Sequence, residues 1–384
     1  MYRIAIQPDD QRLTSGRTQS FSKDWAESLR AAGHEPLPVD ATRPDFFEQV
    51  RACDGFMWWF AHLPYPRNFA RRVIQALQHG MEIPLFPSWE TIWHFDDKIA
   101  QSYLLQAAGI PTARTSVFWF RGDAVKFCRQ ARFPMVIKLA GGITSENVRL
   151  LKSPEEAEYW IHRLFNEGTV SLERPKLGGL AGAKKRVRGS LRLLVKGLPP
   201  APSRRSDLHL DYVLLQEFLP DNDHDTRVTV IGNRAFGFRR FNRPDDFRAS
   251  GSGRIDWDYT KVDPAIVRLA FATARKLRSQ SLAVDGMYRG ESGGREPVLV
   301  EISYYYEGWA IAQCPGHWEL RGEPESGEVE WVPGHVRPQD AILDDFLSLL
   351  DRSAGRLGEH RRDHGTLAAP AENASGLAAT VTSP

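Results

Sequence analysis

Two short apolar segments near the end of the chain constrain its fold most, because together they predict a β-hairpin with paired acidic residues. Residues 282–303 contain LAVDGMYR and PVLVEIS, separated by a turn rich in Gly and charged residues. A register centred on Gly293 places Asp285 opposite Glu301, and Ser303 falls on the same face as Glu301. Facing carboxylates are costly on a half-buried sheet unless a hard cation such as Mg²⁺ lies between them. We therefore predict a metal site; the alternative is a turn-flanking Asp and a solvated Glu.

Length and charge indicate a globular protein of two or three domains. The chain has 384 residues, 42% of them hydrophobic, and a formal net charge of +2. Residues 1–8 have a strand pattern rather than that of a targeting segment, and no apolar run approaches membrane-spanning length. We expect a cytoplasmic protein that is not integral to a membrane. Cys53, Cys128 and Cys314 lack metal or disulfide spacing and are predicted to be reduced thiols.

Strand and helix patterns alternate over the first 88 residues, which predicts an open α/β domain with a parallel sheet. No GxGxxG follows the first strand, so a dinucleotide site is not indicated. We interpret Trp58, Trp59 and Phe60 as packing residues. The alternative is that the loop at 62–66, at the carboxyl end of a strand, contacts a substrate.

Two lysines occupy positions suited to phosphate binding. Lys98 lies in the first turn of a helix that continues over 99–108, where a cation opposes the helix dipole, and this suggests a nearby anion. Lys138 ends a buried strand and precedes a turn whose amides can approach phosphate oxygens. That turn contains Gly141, Gly142, Thr144 and Ser145. It is not a Walker loop, and the alternative is a solvated Lys beside an ordinary Gly-rich hairpin.

Residues 171–208 differ in composition from the rest of the chain. They contain ten Lys or Arg residues but only two acidic ones, Glu173 and Asp207, amid Gly and Pro. We predict an irregular basic segment that docks an anionic or lipid-linked substrate; the alternative is a solvated loop. Nucleic acid is not the expected partner, because no aromatic residue lies between the charges to stack on bases.

Arginines recur in the strands that follow. Asp225 and Arg227 lead into a predicted strand at 228–231, and Arg240 belongs to the next strand pattern. Arg248 lies in a loop rich in Gly and Ser. Arginine suits bidentate binding of phosphate or carboxylate, although some of these residues are also compatible with exposed edge charges.

In chain order, these features resemble the ATP-grasp superfamily over about residues 90–312. The resemblance rests on Lys98, Lys138 with its Gly/Ser loop, Gln216-Glu217-Phe218-Leu219, Asp225-x-Arg227, Arg240, Asp285 and Glu301-x-Ser303. It implies an α/β and α+β protein in which an N-terminal parallel-sheet domain precedes a two-lobed ATP-grasp fold. The predicted divisions are 1–90 for the first domain, 91–112 for a connecting helix, 113–218 for a lid lobe, 219–350 for a C-terminal lobe, and a disordered tail at 351–384.

The resemblance also implies ATP and Mg²⁺ as cofactors and assigns the residues. Lys98, Lys138 and the loop after it contact phosphates, while Gln216 and the backbone of 217–219 hold adenine. Asp225 contacts ribose, and Asp285 and Glu301 hold Mg²⁺. Ser303 stands where the family usually has Asn, which makes it a shorter metal ligand. The arginines proposed to be catalytic, at acyl-phosphate and phosphoryl oxygens, are Arg227, Arg240 and Arg248.

The sequence is most similar to the glutamate-ligase-like branch, whose members join a carboxylate to an amine through an acyl phosphate. Residues 304–318 also resemble ATP-grasp proteins of bacterial surface polysaccharide synthesis, which points to a sugar or glycan carboxylate. Two other functions stay open: a phosphotransferase and a nucleotide-binding protein without turnover. The sequence names neither substrate and leaves the oligomeric state open.

Overall fold

The computed structural model of the chain describes residues 1–9, 11–12, 18–62, 64–142, 147–170, 172, 207–290, 294–323 and 327–363. This part of the chain contains one parallel sheet, two larger antiparallel sheets and one antiparallel pair of two-residue strands, which confirms the predicted fold class. Among these residues, no helix combines the length and the apolar character that are needed to cross a membrane.

The N-terminal sheet is parallel, with strand order β4-β1-β5-β6. Its elements are β1 (Arg3–Gln7), β2 (Gln11–Arg12), β3 (Thr18–Gln19), α1 (Phe21–Ala31), β4 (Glu35–Pro38), α2 (Phe46–Arg51), β5 (Gly55–Trp58), α3 (Pro64–Ala76), β6 (Leu85–Phe86) and α4 (Trp89–Ile92). Asp9 accepts hydrogen bonds from the amides of Phe21 and Ser22, so it connects the end of β1 to the start of α1. Trp58, Trp59 and Phe60 are buried, as the packing interpretation predicted.

The lid lobe is built on an antiparallel sheet of order β7-β10-β8-β9. Its elements are α5 (Lys98–Ala107), β7 (Thr115–Phe118), α6 (Arg121–Gln130), β8 (Met135–Lys138), β9 (Val148–Leu151), α7 (Pro154–Asn166) and β10 (Val213–Glu217). α6 and α7 cover one face of the sheet, where Trp160, Ile137 and Val213 are fully buried. The hydroxyl of Ser153 accepts from the amide of Glu156 and caps α7.

The C-terminal lobe has an antiparallel sheet of order β15-β14-β11-β12-β16-β17, with β13 on β12. Its elements are β11 (His224–Ile231), β12 (Arg234–Phe241), β13 (Ile255–Asp256), α8 (Pro264–Lys276), β14 (Ser281–Arg289), β15 (Glu296–Ser303), α9 (Gly308–Ala312), β16 (Gly316–Arg321) and β17 (Glu328–Pro333). α8 packs on one face of this sheet through Ile266 and Phe271, which contact a core that includes Val228 and Leu282.

The last helix, α10 (Pro338–Asp363), corrects one prediction. It continues past Asp351, where the composition predicted disorder, and the hydroxyl of Tyr2 donates to the Asp351 carboxylate at 2.6 Å. The helix packs on both the N-terminal domain and the lobe to which its first part was assigned. Phe346 belongs to a core that includes Ile4 of β1 and Ile231 of β11, and Trp25 donates to the carbonyl of Gln339. Some of its partners therefore lie at the other end of the sequence, where local periodicity does not reveal them.

Candidate active site

The predicted hairpin forms and brings its two acidic residues face to face. β14 and β15 are antiparallel, with Asp285 opposite Glu301, as the sequence predicted. The register then shifts at Gly286, because Val300 is an extra residue in β15 and produces a β-bulge. A Cβ at Gly286 would lie 2.7 Å from the side chain of Ile266, so this position next to the bulge requires glycine.

Two buried lysines from different elements converge on this hairpin. Lys98, at the start of α5, lies 3.2 Å from Glu301 Oε1 and donates to the Gly142 carbonyl at 3.1 Å. Lys138, at the end of β8, donates to the carbonyl of Val300 in the bulge at 3.2 Å. Each lysine is only 7% exposed. Glu301 is therefore one anion next to Lys98, and the predicted contact of Lys98 with phosphate stays a prediction.

Their surroundings affect the two lysines in opposite directions. Burial by itself lowers the pKa of Lys98, but Glu301 and Asp96 outweigh it, and the pKa is raised. At Lys138 burial dominates over the attraction of Glu301 and, with Lys98 nearby, lowers the pKa to about 8 from an ordinary value of 10.5. An additional anion would raise the pKa of Lys138 again. This pair of lysines therefore favours more negative charge than Glu301 supplies.

Arginines and carboxylates alternate in a buried network across β12, β11 and β14. Arg240 binds both oxygens of Asp225, its cross-strand partner, at 2.7 Å each. Arg227 binds both oxygens of Asp285 at 2.7 and 2.8 Å, and Arg240 Nη2 lies 2.8 Å from Asp285 Oδ2. Burial by itself raises the pKa of Asp285, but the two guanidinium groups outweigh it and hold the pKa well below its ordinary value. The network fixes Arg227 and Arg240 beside the acidic pair.

This network exists because β11 is longer than predicted. The sequence predicted a strand only at 228–231, whereas β11 begins at His224 and includes Asp225 and Arg227. Charged residues are depleted in strands, because most strands pack against an apolar neighbour. The first half of β11 faces a polar site instead, so its charged residues did not indicate a strand. Asp225 has both oxygens on Arg240, so its predicted contact with ribose stays a prediction.

The oxygen atoms of the hairpin fit one Mg²⁺. The side chain of Glu301 is 32% exposed. The carboxylate of Asp285 accepts three contacts from guanidinium groups, and a carboxylate has about four acceptor sites, so one site is left for a metal ion. The Ser303 hydroxyl accepts from the amide of Tyr305 and donates to its carbonyl, so its role as a metal ligand stays a prediction. Among the described residues, no group of three or more His, Cys, Asp or Glu is arranged to hold a metal. Mg²⁺ is commonly held by one or two carboxylates together with substrate phosphates, and Asp285 with Glu301 meets that requirement.

The glycine turn after Lys138 is described as far as Gly142. Gly142 has a φ of +121° and a Cβ there would lie 2.6 Å from Asn147 Nδ2, so glycine is required. Its amide donates to Asp96 Oδ1 at 2.8 Å, and the Gly141 carbonyl accepts from Asn147. Thr144 and Ser145 lie outside the described residues. The phosphate contacts of this loop therefore stay a prediction.

The segment predicted to hold adenine forms the junction between the two lobes. Gln216 Nε2 donates to the hydroxyl of Thr115 at 2.9 Å. Glu217 accepts from Arg114 in the lid lobe and from Arg289 in the C-terminal lobe, and these pairs outweigh burial and lower its pKa. Leu219 is buried, and the ring of Phe218 contacts Phe247. The side chain of Glu217 thus joins the lobes, and its amide donates to the carbonyl of Arg114 at 2.9 Å. The adenine contact of this segment stays a prediction.

No protein-family model matches the sequence, and no curated protein matches it either. Solved structures do match. The ATP-grasp ligase PsnB, solved with a minimal precursor, Mg and ADP, is 14% identical, with a TM-score of 0.51 over 91% of this chain and 98% of that one. The chain has the ATP-grasp fold. The D-cycloserine synthetase DcsG is also 14% identical, with a TM-score of 0.50 over 91% of this chain and 99% of that one. The predicted ATP-grasp resemblance is confirmed at the level of the fold.

Within this ATP-grasp fold, the cleft between the lobes is nearly closed. A cavity of about 20 Å³ lies between Lys98, Lys138, Gln216 and Glu301. That is room for about one water, whereas ligand pockets measure roughly 300–1,000 Å³. A nucleotide at this position would require more space than this cavity offers. A larger depression of about 490 Å³ follows the face of α6, but it contains none of the predicted site residues.

Arg248, one of the predicted anion-binding residues, makes its hydrogen bonds outside this cluster. Arg248 binds Asp246 and reaches the carbonyl of Val148 on β9, at 3.4 Å. Its proposed catalytic role stays a prediction. Of the basic segment at 171–208, only residues 172, 207 and 208 are described, so the docking hypothesis falls outside the described residues.

Sequence reasoning missed Asp96 and Arg67. Asp96 adopts a φ of +52° just before α5 and accepts from both Gly142 and Arg67 of α3. Arg67, only 6% exposed, also binds Asp207. The pair connects the N-terminal domain to the glycine turn of the ATP-grasp fold. Nothing in the sequence pattern links Arg67 with Asp96, because the contact joins two separate elements.

Proposed function

We propose that this protein is an ATP- and Mg²⁺-dependent carboxylate–amine ligase that works through an acyl phosphate. The observation that carries the proposal is the convergence of Lys98 and Lys138 on Glu301, opposite Asp285. Glu301 and Asp96 compensate the charge of Lys98, but the buried ammonium group of Lys138 stays costly unless further anionic charge arrives. A polyphosphate with its metal ion supplies that charge. The presence of Mg and ADP in the solved PsnB structure supports the same interpretation.

The charged residues of the site have different proposed roles. Lys98 and Lys138 neutralise phosphate oxygens, and Arg227 and Arg240, already oriented by Asp285 and Asp225, stabilise charge on the transferred phosphoryl group. Asp285 and Glu301 would hold Mg²⁺, which polarises phosphoryl oxygens when it is bound. The substrate carboxylate attacks the γ-phosphorus and ADP leaves. The amine then attacks the acyl carbon, phosphate leaves and an amide forms.

Closure of the lobes serves the second half of this reaction. An acyl phosphate hydrolyses in water, so the lobes must exclude solvent until the amine reacts. The contact of Lys138 with the bulge carbonyl of Val300 and the bridge between Thr112 and Leu299 hold the two lobes together beside the site. We propose a sugar or glycan carboxylate as the donor, on the resemblance of residues 304–318, and an acceptor with anionic groups that the basic segment docks.

The test supplies Mg-ATP, a panel of uronic acids and hydroxylamine, and measures ADP, phosphate and hydroxamate. A ligase releases ADP and phosphate and yields a hydroxamate. A phosphorylated product without phosphate release indicates a phosphotransferase, and nucleotide binding without either product indicates a protein without turnover. Lys138→Met should abolish product formation, whereas Lys152→Met, which changes an exposed lysine of the same lobe, should retain it.

A further inference from the structure

The glycine turn after β8 is anchored differently at its two ends. At its start, the amide of Ala140 donates at 2.7 Å to the hydroxyl of Tyr212, which lies just before β10 in the same lobe. At Gly142, the amide donates at 2.8 Å to Asp96 Oδ1, which lies outside that lobe's sheet. Glycine restricts its own backbone least, so a turn built on two glycines depends on such contacts for a defined shape.

The N-terminal domain holds Asp96 in place. Arg67 of α3 donates through Nη1 to Asp96 Oδ2 and, at 3.3 Å, to the Asp96 carbonyl. Through Nη2, Arg67 also binds Asp207, which precedes β10. The side chains of Arg67 and Asp96 are both buried. One planar guanidinium group thus spans two carboxylates, which the single ammonium group of a lysine does not reproduce.

These three side chains pack directly on the glycine turn. A Cβ at Gly141 would lie 3.5 Å from Asp96 Oδ2, 3.7 Å from Arg67 Nη1 and 3.7 Å from Asp207 Oδ2. We call Arg67, Asp96 and Asp207 the turn clamp. Because the clamp contacts the backbone of the turn, a change at Arg67 changes the surroundings of the turn itself.

The clamp is also connected to Lys98. Lys98 follows Asp96 by two residues, and its amide donates to the Ala140 carbonyl at 2.9 Å. Its Nζ atom donates to the Gly142 carbonyl at 3.1 Å. Together with the bond from Gly142 to Asp96, three hydrogen bonds join this short segment to the turn. The turn and Lys98 therefore form one unit, to which Arg67 is attached from the neighbouring domain.

Stability alone is a weak reason for such a clamp. Removing charged groups from water offsets much of the attraction within a buried ion pair, so the net gain over apolar packing is small. A buried ion pair does fix the relative positions of its partners. Geometry matters here because a displacement of about 1 Å at a binding group costs roughly 100-fold in a reaction rate.

We propose that Arg67 is a positioning residue for the nucleotide: acting through Asp96, it holds the glycine turn and Lys98 in the geometry that receives phosphate oxygens. The N-terminal domain then completes the phosphate site from outside the two lobes. The assignment of the turn and Lys98 to phosphate rests on the proposed ligase function. The mechanical link from Arg67 to the turn does not.

The mechanical link is tested on the full chain without nucleotide. Hydrogen–deuterium exchange compares the wild type, Arg67→Met and the control Arg72→Met, which changes an exposed arginine of the same helix. Exchange of peptides that contain Ala140 and Gly142 should be roughly 10-fold faster in Arg67→Met and unchanged in Arg72→Met. Peptides from α7 and β14 should exchange as in the wild type. Unchanged exchange at the turn, or equal acceleration in every peptide, would overturn the proposal.

Calorimetric titration with Mg-ATP tests the consequence for binding. Arg67→Met should raise the Kd roughly 10- to 100-fold, and Arg72→Met should leave it unchanged. Arg67→Lys keeps the charge without the planar fork, so its Kd should lie between those of the wild type and Arg67→Met. Equal Kd values for the wild type and both Arg67 variants would contradict the positioning role.

A double mutant tests whether Arg67 acts through Asp96. Asp96→Asn keeps an oxygen acceptor for the Gly142 amide and tolerates the φ of +52°, but it loses the charge that binds Arg67. Asp96→Asn should weaken Mg-ATP binding, and adding Arg67→Met should weaken it by less than about threefold more. Effects that multiply would reject the proposal, because Arg67 would then act independently of Asp96. Asp96→Asn and Arg67→Lys carry the comparison if Arg67→Met does not fold, and wild-type Kd values in both would reject it.

Product formation separates this proposal from the ligase proposal. If Mg-ATP binding depends on Arg67 but the wild type gives no product with any uronic acid and hydroxylamine, the ligase is rejected and the positioning role stands. If the wild type forms hydroxamate and Arg67→Met has the same KM for ATP, the positioning role is rejected and the ligase stands. A wild type that binds no Mg-ATP would reject both.

Discussion

Replacing Lys138 by Met should stabilise the protein at neutral pH while it abolishes nucleotide binding. Lys138 is 7% exposed, and its pKa is about 8 instead of the ordinary 10.5. Because the folded-state pKa lies below the unfolded value, the unfolded chain binds more protons between pH 8 and 10.5. Stability therefore rises with pH across this window, and below pH 8 the folded protein bears the full cost of the buried ammonium group.

The size of this cost follows from the gap between the two pKa values. It corresponds to about 3 kcal/mol of unfolding free energy at pH 7. Methionine fills similar volume without a charge, but it leaves the Val300 carbonyl without its donor, a loss of about 1 kcal/mol. The unfolding free energy of Lys138→Met should therefore exceed that of the wild type by about 2 kcal/mol at pH 7. Near pH 10.5 it should be lower than that of the wild type by about 1 kcal/mol.

Urea denaturation of the wild type, Lys138→Met and Lys152→Met at several pH values between 7 and 10.5 measures this crossover. Isothermal titration with Mg-ATP measures binding in the same preparations. We expect Lys138→Met to lose binding and Lys152→Met to keep it. If Lys138→Met were less stable than the wild type by the same amount at every pH, the reasoning about a buried, uncompensated lysine would be refuted.

Three further predictions concern the acidic pair, the arginine network and the basic segment. Glu301→Gln should reduce Mg-ATP turnover by orders of magnitude and weaken Mn²⁺ binding measured by electron paramagnetic resonance with ADP, whereas Glu296→Gln on the exposed part of the same hairpin should do neither. Asp225→Asn should lower the unfolding free energy by about 3–5 kcal/mol, because it leaves the buried Arg240 without its bidentate partner. A raised KM for ATP with unchanged stability would instead indicate that Asp225 contacts ribose. Replacing Lys184, Lys185, Arg186 and Arg188 with Ser should raise the acceptor KM and flatten its salt dependence without affecting the KM for ATP; identical acceptor kinetics would leave the segment a solvated loop.

The sequence alone determined the local elements and one long-range feature of the site. Hydrophobic periodicity predicted the parallel N-terminal sheet and the hairpin, because these patterns depend on residues close in the chain. The predicted pairing of Asp285 with Glu301 is confirmed, but the register centred on Gly293 is wrong next to the turn, where Arg289 pairs with Glu296. The bulge at Val300 shifts the register by one residue and brings the two acidic residues opposite each other. The position of Lys98 against the helix dipole indicated a nearby anion, and Glu301 lies beside it, while its contact with phosphate stays a prediction.

Tertiary structure decided the features that depend on contacts between distant segments. The bulge at Val300, which receives Lys138, has no sequence marker apart from the neighbouring Gly286. The extension of β11 through Asp225 and Arg227 is stable because the charges on Arg240 and Asp285 compensate it from adjacent strands. The contact between the rings of His62 and Tyr305 likewise joins residues from two domains. Burial and charge compensation are properties of neighbours in space, and a single sequence records only neighbours along the chain.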